Sequence, residues 1–145
     1  MRILLAGASG VIGTPLVMRL HAAGHDVLAL HRAPEGAARM RAMGATPIRV
    51  DVLDRRALLQ ALDGVAVDAV ISELTALKKP PITHGRMKVT DRLRTEGTAN
   101  LLAAARATGA HRFLTQSMIF GYGYGDSGER GDQFLTERDP FGMGG

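Results

Sequence analysis

A glycine-rich turn near the start of the chain constrains the fold most strongly. The segment Gly7-Ala8-Ser9-Gly10-Val11-Ile12-Gly13 follows an apolar run and precedes an amphipathic stretch. Glycines at this spacing suit a tight strand-to-helix turn, in which the backbone approaches a pyrophosphate and the helix packs close to the strand. Glycines also end strands in folds that bind nothing, but the strand-turn-helix setting favours a dinucleotide site.

The backbone amides of this turn are the predicted pyrophosphate ligands. Free N–H groups at a helix N-terminus, together with the positive end of the helix dipole, attract phosphate. We therefore expect cofactor contacts from Gly7, Ser9, Gly10, Val11, Ile12 and Gly13.

Short β-like runs alternate with longer helix-like stretches along most of the chain. This order predicts an α/β fold, a Rossmann-type doubly wound parallel sheet of about five strands. Strands that are buried on both faces read as nearly continuous apolar runs. The predicted strands are Arg2–Ala6, Asp26–His31, Thr46–Val50, Asp68–Glu73 and Arg112–Gln116.

Helix-ending glycines mark the predicted helices between these strands. The first runs over Val11–Ala23 and places Val11, Leu16 and Leu20 on one face, with Gly24 after its end. The others are expected from about Glu35 to Gly44, from an Asp54 N-cap to Gly64, and from about Met87 to Gly109.

The composition changes after Phe120, where Gly, Asp, Glu and Arg replace the regular alternation. Residues 1–120 are therefore predicted to form a dinucleotide-binding domain. Residues 121–145 are predicted to be a glycine-rich loop or a disordered tail, because they are too long for an ordinary connection.

His31 and Arg32 stand where the second strand should end, near the adenosine ribose of a bound dinucleotide. NAD-preferring proteins commonly place a carboxylate there. A guanidinium at this position can instead pair with the 2′-phosphate of NADP, so both residues are predicted cofactor contacts and NADP is preferred over NAD. The alternative is an ordinary solvated loop arginine.

Asp51 and Val52 follow the third strand, where adenine is expected. The carboxylate can accept from the adenine amino group while Val52 packs beside the ring. Alternatively, Asp51 caps a turn and Asp54 caps a helix.

Leu74 and Thr75 follow the fourth strand, at the sheet edge where ligands of open α/β folds bind. Backbone contacts from both to the cofactor are predicted. Glu73 is one candidate for a general base. Alternatively, it is an acid that is solvated or paired with a neighbouring arginine.

The chain resembles the extended or atypical short-chain dehydrogenases/reductases, also called the NAD-dependent epimerase/dehydratase family. The resemblance rests on the glycine turn, on Asp51 through Asp54, and on later segments. These later segments are Gly97-Thr98-Ala99-Asn100-Leu101-Leu102-Ala103-Ala104-Ala105, Arg112-Phe113-Leu114-Thr115-Gln116-Ser117 with Tyr122-Gly123, and Thr136-Glu137-Arg138-Asp139-Pro140.

The resemblance implies hydride transfer, in which a tyrosine and a lysine four residues later exchange a proton with substrate and a Ser or Thr orients it. It implies a cofactor contact at Gln116 and a catalytic hydroxyl at Ser117. When Tyr122-Gly123 is aligned with the family, however, Ser117 falls one residue early and Met118 takes its place. The alternative for Ser117 is a simple strand-end hydroxyl.

The tyrosine–lysine pair is absent from these 145 residues, since Tyr122 and Tyr124 precede no lysine at that spacing. We expect an N-terminal portion of an oxidoreductase or epimerase, truncated before the catalytic helix and substrate subdomain and not catalytic by itself. One alternative is a non-catalytic NADP-binding sensor. Another is an interaction module, in which the 87–108 helix forms a homodimer.

Charge and composition limit the other classes of function. The net charge of +4 is scattered rather than clustered, so no nucleic-acid partner is predicted. No membrane span is predicted, and the histidines form no metal motif. The absence of cysteine fits a reducing compartment, so the cytoplasm is the expected location. The remaining expected partner is a small-molecule substrate.

Overall fold

The computed structural model describes residues 1–75 and 88–116, and the chain divides into two compact units, Met1–Thr115 and Gln116–Gly145. The first unit has this order: β1 (Arg2–Ala6), α1 (Gly13–Ala22), β2 (Asp26–His31), α2 (Gly36–Ala42), β3 (Thr46–Arg49), α3 (Arg55–Ala61), β4 (Ala69–Ser72), α4 (Lys88–Arg92), a π-helical segment (Leu93–Gly97), α5 (Thr98–Ala107) and β5 (Arg112–Thr115).

The strands form one parallel sheet in the order β3-β2-β1-β4-β5. The chain moves outward from β1 to β3 and then returns to the other side of β1 with β4. Strand order therefore reverses beside β1, and such a switch point opens a crevice at the carboxyl ends of the strands. The predicted doubly wound sheet is confirmed.

The predicted β1 and β2 match the observed strands, whereas β3, β4 and β5 are one or two residues shorter than predicted. Backbone hydrogen bonds from the β4 segment to β1 continue one residue beyond each end of β4. Asp68 N donates to Arg2 O at 2.8 Å, and Glu73 N donates to Ala6 O at 2.9 Å. The apolar pattern therefore located the strands but could not show where regular pairing stops.

The observed helix boundaries differ from the predicted ones more than the strand boundaries do. Because α1 begins at Gly13, Val11 lies on the preceding turn and is 95% exposed, so its predicted place on the buried helix face was wrong. Leu16 and Leu20 do pack against the core. The predicted start of the last long helix, Met87, lies outside the described residues, and a π-helical segment interrupts the described part of that helix.

Hydrophobic cores cover both faces of the sheet, because successive strand residues point to opposite sides. Leu4 belongs to the core that includes Leu58 of α3 and Leu101 of α5. Its neighbour Leu5 belongs to the core that includes Val17 of α1 and Met40 of α2. Both leucines are fully buried, so the turn that follows β1 is held on a rigid strand.

None of the helices in the described ranges is both long enough and apolar enough to cross a membrane.

Candidate functional site

The glycine turn leaves β1 at the switch point and is shaped by close backbone contacts. Gly7 has a φ of +89°, and a Cβ there would collide with the carbonyl oxygen of Glu73. A Cβ on Gly13 would collide with the Gly7 carbonyl oxygen and approach the Ala8 Cα to 2.8 Å. Both positions require glycine because backbone, which cannot move aside as a side-chain end can, fills the space.

Gly10 differs from the other two glycines, because its surroundings are open. Its amide donates to Gly7 O at 3.0 Å, and a Cβ would meet only that oxygen, at 3.2 Å. Ser9, Gly10 and Val11 are exposed. A side chain at Gly10 would therefore meet almost none of the protein.

The amides at the start of α1 are available to a ligand. No side chain caps this end of the helix, and its first turn contains no acidic residue. Within the described residues, the amides of Val11 and Ile12 have no hydrogen-bond acceptor. Uncapped amides at the positive end of a helix dipole suit an anion, so the turn fits the pyrophosphate of a dinucleotide.

Thr14 and Arg39 support the turn through side-chain hydrogen bonds, and neither was among the site residues predicted from the sequence. Thr14 Oγ1 lies 3.4 Å from the Ala8 carbonyl oxygen, to which it donates, and accepts from Arg39 Nη2 at 3.0 Å. These bonds tie α2 to the first turn of α1. The position of Thr14 directly after Gly13 was the only sequence signal for this role.

His31 and Arg32 point in different directions at the end of β2. His31 is only 8% exposed, and its Nδ1 lies 2.9 Å from the Ala33 carbonyl oxygen. A carbonyl only accepts, so Nδ1 donates. The ring packs against Gly36, where a Cβ would lie 2.8 Å from Nδ1, whereas Arg32 is exposed. His31 thus shapes the loop that presents Arg32.

Asp51 and Asp54 both make the capping contacts that the sequence left open. Asp51 Oδ1 accepts from the Leu53 amide at 3.0 Å, and Asp54 Oδ1 accepts from the Ala57 amide at 2.9 Å at the start of α3. Asp51 Oδ2 makes no hydrogen bond to any described residue. The turn role of Asp51 therefore leaves one carboxylate oxygen available to a ligand.

Asn100 fixes the segment that carries Val52, a role that was not predicted from the sequence. Its side chain is buried, and Nδ2 donates to Val52 O at 2.9 Å and to Leu53 O at 3.4 Å. Gly97, one turn earlier, would place a Cβ 3.2 Å from Leu74 Cδ1 and 3.7 Å from Val52 Cγ1. The close approach of this helix brings Val52 and Leu74 to one apolar wall.

Glu73 lies beside the glycine turn with an unsatisfied oxygen. Its Oε2 is buried and has no hydrogen-bond partner among the described residues. Burial raises the pKa of the Glu73 carboxyl above its usual value, because the charged form loses hydration. Glu73 forms no ion pair with an arginine within the described ranges, so the predicted alternative of a paired acid is not observed there.

The remaining predicted site residues lie at the margins of the described structure. Thr75 is exposed after β4, and Gln116 is exposed and belongs to the second unit. Ser117, the predicted catalytic hydroxyl, lies outside the described residues.

Comparison with known families and sequences agrees with this geometry. A profile of the NAD dependent epimerase/dehydratase family matches residues 3–143. A 3-diazoavenalumate denitrifying reductase from Streptomyces sp is 47% identical over 128 residues, which are 83% of this chain and 38% of that protein. A 2-alkyl-3-oxoalkanoate reductase from Stenotrophomonas maltophilia is 34% identical over 119 residues, which are 81% of this chain and 33% of that protein.

Solved structures share the fold. UDP-glucose 4-epimerase from Bifidobacterium longum, in complex with NAD+ and UDP, superposes with a TM-score of 0.79 at 20% identity, over 99% of this chain and 43% of that one. A short-chain dehydrogenase/reductase superfamily protein from Agrobacterium tumefaciens with bound NAD superposes with a TM-score of 0.71 at 26% identity. The superposition covers 100% of this chain and 40% of that one. The chain thus spans less than half the length of these relatives.

Proposed function

Because the chain belongs to the NAD dependent epimerase/dehydratase family, we propose that its first unit binds the nicotinamide dinucleotide of an oxidoreductase or epimerase/dehydratase that acts by hydride transfer. The observation that carries the proposal is the turn Gly7–Gly13, where two glycines admit no Cβ and the amides that open α1 are uncapped. Two of the solved relatives carry NAD, which supports a cofactor of this class.

The cofactor would lie across the carboxyl ends of the strands. The pyrophosphate would bind at the glycine turn, and the adenosine half would extend over β2 and β3, between Arg32 and the turn of Asp51 and Val52. The nicotinamide half would then extend over β4, beside Glu73 and Leu74. When bound, the nicotinamide ring supplies or accepts the hydride.

The proposed preference for NADP over NAD rests on Arg32. This residue is exposed directly after β2, and the residue before it, His31, is a buried imidazole rather than a carboxylate. The acid next along this loop is Glu35, at the start of α2. A guanidinium can form a bidentate pair with a phosphate, and only NADP carries the 2′-phosphate.

Replacing Arg32 with alanine tests the preference. A hydrogen bond between charged groups is worth about 1.5–3 kcal/mol, so Arg32→Ala should weaken NADP binding by roughly 10- to 100-fold and leave NAD binding within about twofold. Isothermal titration calorimetry measures both. Arg19→Ala, an exposed arginine in the last turn of α1, is the control that should change neither. Equal losses for the two cofactors would remove Arg32 from the 2′-phosphate site.

The proposed role is to hold the cofactor without completing the reaction. The sequence contains Tyr122 and Tyr124 but no tyrosine four residues before a lysine, the pair that the family resemblance associates with proton transfer. NADPH mixed with this chain and a panel of small carbonyl compounds should therefore keep its reduced-nicotinamide absorbance. Oxidation of NADPH at a rate proportional to protein concentration would show that these residues catalyse on their own.

A non-catalytic sensor is the second candidate, and the same absent pair favours it. A sensor must change shape or partners when the cofactor binds. Sedimentation of the chain with and without NADP distinguishes the two candidates, because a sensor changes its assembly or shape and a simple cofactor holder does not. The same experiment tests the homodimer predicted for the 87–108 helix.

A further inference from the structure

The Glu73 carboxyl group has a hydrogen-bonding position that no described residue fills. Its Oε2 is buried without a hydrogen-bond partner among the described residues. A buried polar oxygen without a partner costs roughly as much as a lost hydrogen bond, and such atoms in native structures mark places where a ligand, ion or water completes the bonding. Glu73 therefore has an unused hydrogen-bonding position.

This position borders the proposed cofactor site. The Glu73 carbonyl oxygen occupies the space that a Gly7 Cβ would need, and the Glu73 Cβ lies 3.1 Å from that same point. Glu73 N also donates to Ala6 O at 2.9 Å, which fixes the residue against the end of β1. The side chain thus starts beside the first glycine of the turn, on the β4 side.

A charged carboxylate fits poorly at this location. The dinucleotide pyrophosphate carries negative charge, and like charges at short range disfavour each other's ionised forms. Glu73 belongs to neither of the ion pairs among the described residues, and β1 and the glycine turn are uncharged beside it. Arg94, on the π-helical segment, has an interaction of its own. Arg39 donates to Thr14 Oγ1, His31 donates to Ala33 O, and Arg32 follows β2 on the far side of β1.

We propose that Glu73 is a cofactor-contacting residue that takes up one proton from solvent when a dinucleotide binds and donates a hydrogen bond from its neutral carboxyl to the nicotinamide-side half of the ligand. The balance is simple: solvent supplies one proton, the carboxylate becomes a carboxyl, and no bond in the ligand breaks. The proposal rests on the proposed dinucleotide function. It adds a pH-dependent contact to the site.

The raised pKa supports the direction of this linkage. Desolvation already favours the neutral form of Glu73 in the free protein, and a bound anion raises the pKa further. The complex then holds more protons than its separate components, so affinity is highest at low pH and falls as pH rises through the pKa of the complex.

Proton uptake on binding is the decisive measurement. Calorimetric titrations with NAD in two buffers of different ionisation enthalpy should show net proton uptake on binding, and affinity should weaken by roughly three- to tenfold as pH rises from about 5 to about 8. NAD is the probe because its phosphates are diesters, whereas the 2′-phosphate of NADP titrates near pH 6. Binding of NAD without proton uptake would overturn the proposal.

Variants assign the proton. Glu73→Gln keeps a hydrogen-bond donor and cannot ionise, so its binding of NAD should lose both the proton uptake and the pH dependence. Glu35→Gln, an exposed acid beside α2, is the matched control and should behave as the parent does. Undiminished proton uptake in Glu73→Gln would overturn the proposal.

Ligand fragments locate the contact. ADP-ribose, which contains the pyrophosphate and the second ribose, should reproduce the proton uptake, whereas adenosine, which carries no titrating phosphate, should bind without it. Uptake of the same size with adenosine would place the proton on the adenosine side and contradict the proposal. Failure of every ligand to bind would instead contradict the dinucleotide function itself, so the two failures are distinguishable.

Discussion

At the scale of single residues, the shape of the glycine turn depends on the absence of a Cβ at Gly7 and Gly13. Gly7 and Gly13 have backbone where a Cβ would be, whereas Gly10 has open space on its far side. The sequence alone treats the three glycines alike. Only the structure shows that backbone surrounds two of them and that the third borders open space.

Alanine substitutions should separate these two roles. Gly13→Ala forces a methyl group against the backbone of Gly7 and Ala8, so we expect a loss of about 1–3 kcal/mol in the free energy of unfolding. Gly10→Ala should cost less than about 1 kcal/mol but weaken dinucleotide binding by roughly tenfold, because its methyl group would occupy space beside the proposed pyrophosphate site. Urea unfolding and calorimetry measure the two effects.

Two results of these substitutions would contradict the roles assigned to Gly10 and Gly13. If Gly10→Ala binds NAD as the parent does, the pyrophosphate does not approach Gly10. If both variants unfold at the parent's urea midpoint, the backbone contacts at Gly13 are not those described above.

At the scale of elements, hydrophobic patterning predicted the strands well and the helices less well. β1 and β2 match because their continuous apolar runs have clear ends: Arg2 and Gly7 bound the first, and Asp26 and Arg32 bound the second. The start of α1 was misplaced, since Val11 is apolar but faces solvent on the turn. Apolar periodicity cannot distinguish a residue on the first helical turn from one on the preceding loop.

The π-helical segment Leu93–Gly97 was not predictable from periodicity either. Its extra residue per turn shifts the face of the helix just before Asn100, whose side chain reaches the Val52 and Leu53 carbonyl oxygens. A lone asparagine in a helical segment gives no sign of a partner almost fifty positions earlier in the chain.

Replacing Asn100 tests how far this helix supports the adenine side of the site. Asn100→Leu leaves the buried Val52 carbonyl without its donor, so we expect a loss of about 1–3 kcal/mol in the free energy of unfolding and weaker binding of AMP. Thr95→Ala, on the exposed side of the same helix, is the control and should stay within about 0.5 kcal/mol. Unchanged unfolding and AMP affinity in Asn100→Leu would rule out the supporting role.

At the scale of the whole molecule, the order β3-β2-β1-β4-β5 brings the ends of β1, β2, β3 and β4 to one edge. The residues proposed for the site, including Arg32, Asp51 and Glu73, follow different strands and meet only because every pair is parallel. The sequence predicted this meeting from the alternation of elements. The individual hydrogen bonds of His31, Thr14 and Asn100 required the three-dimensional arrangement, since each joins residues through packing rather than through a motif.

The central claim is that the turn Gly7–Gly13 holds the pyrophosphate of a nicotinamide dinucleotide. A titration of the ¹⁵N-labelled chain with NADP, followed by amide NMR resonances, tests it most directly. The account predicts saturable one-to-one binding, with the largest shifts at the amides of Ser9 to Gly13 and smaller ones after β2 and β3. Saturable binding that leaves the amides of this turn unshifted, or no binding of NADP and NAD at millimolar concentration, would contradict it.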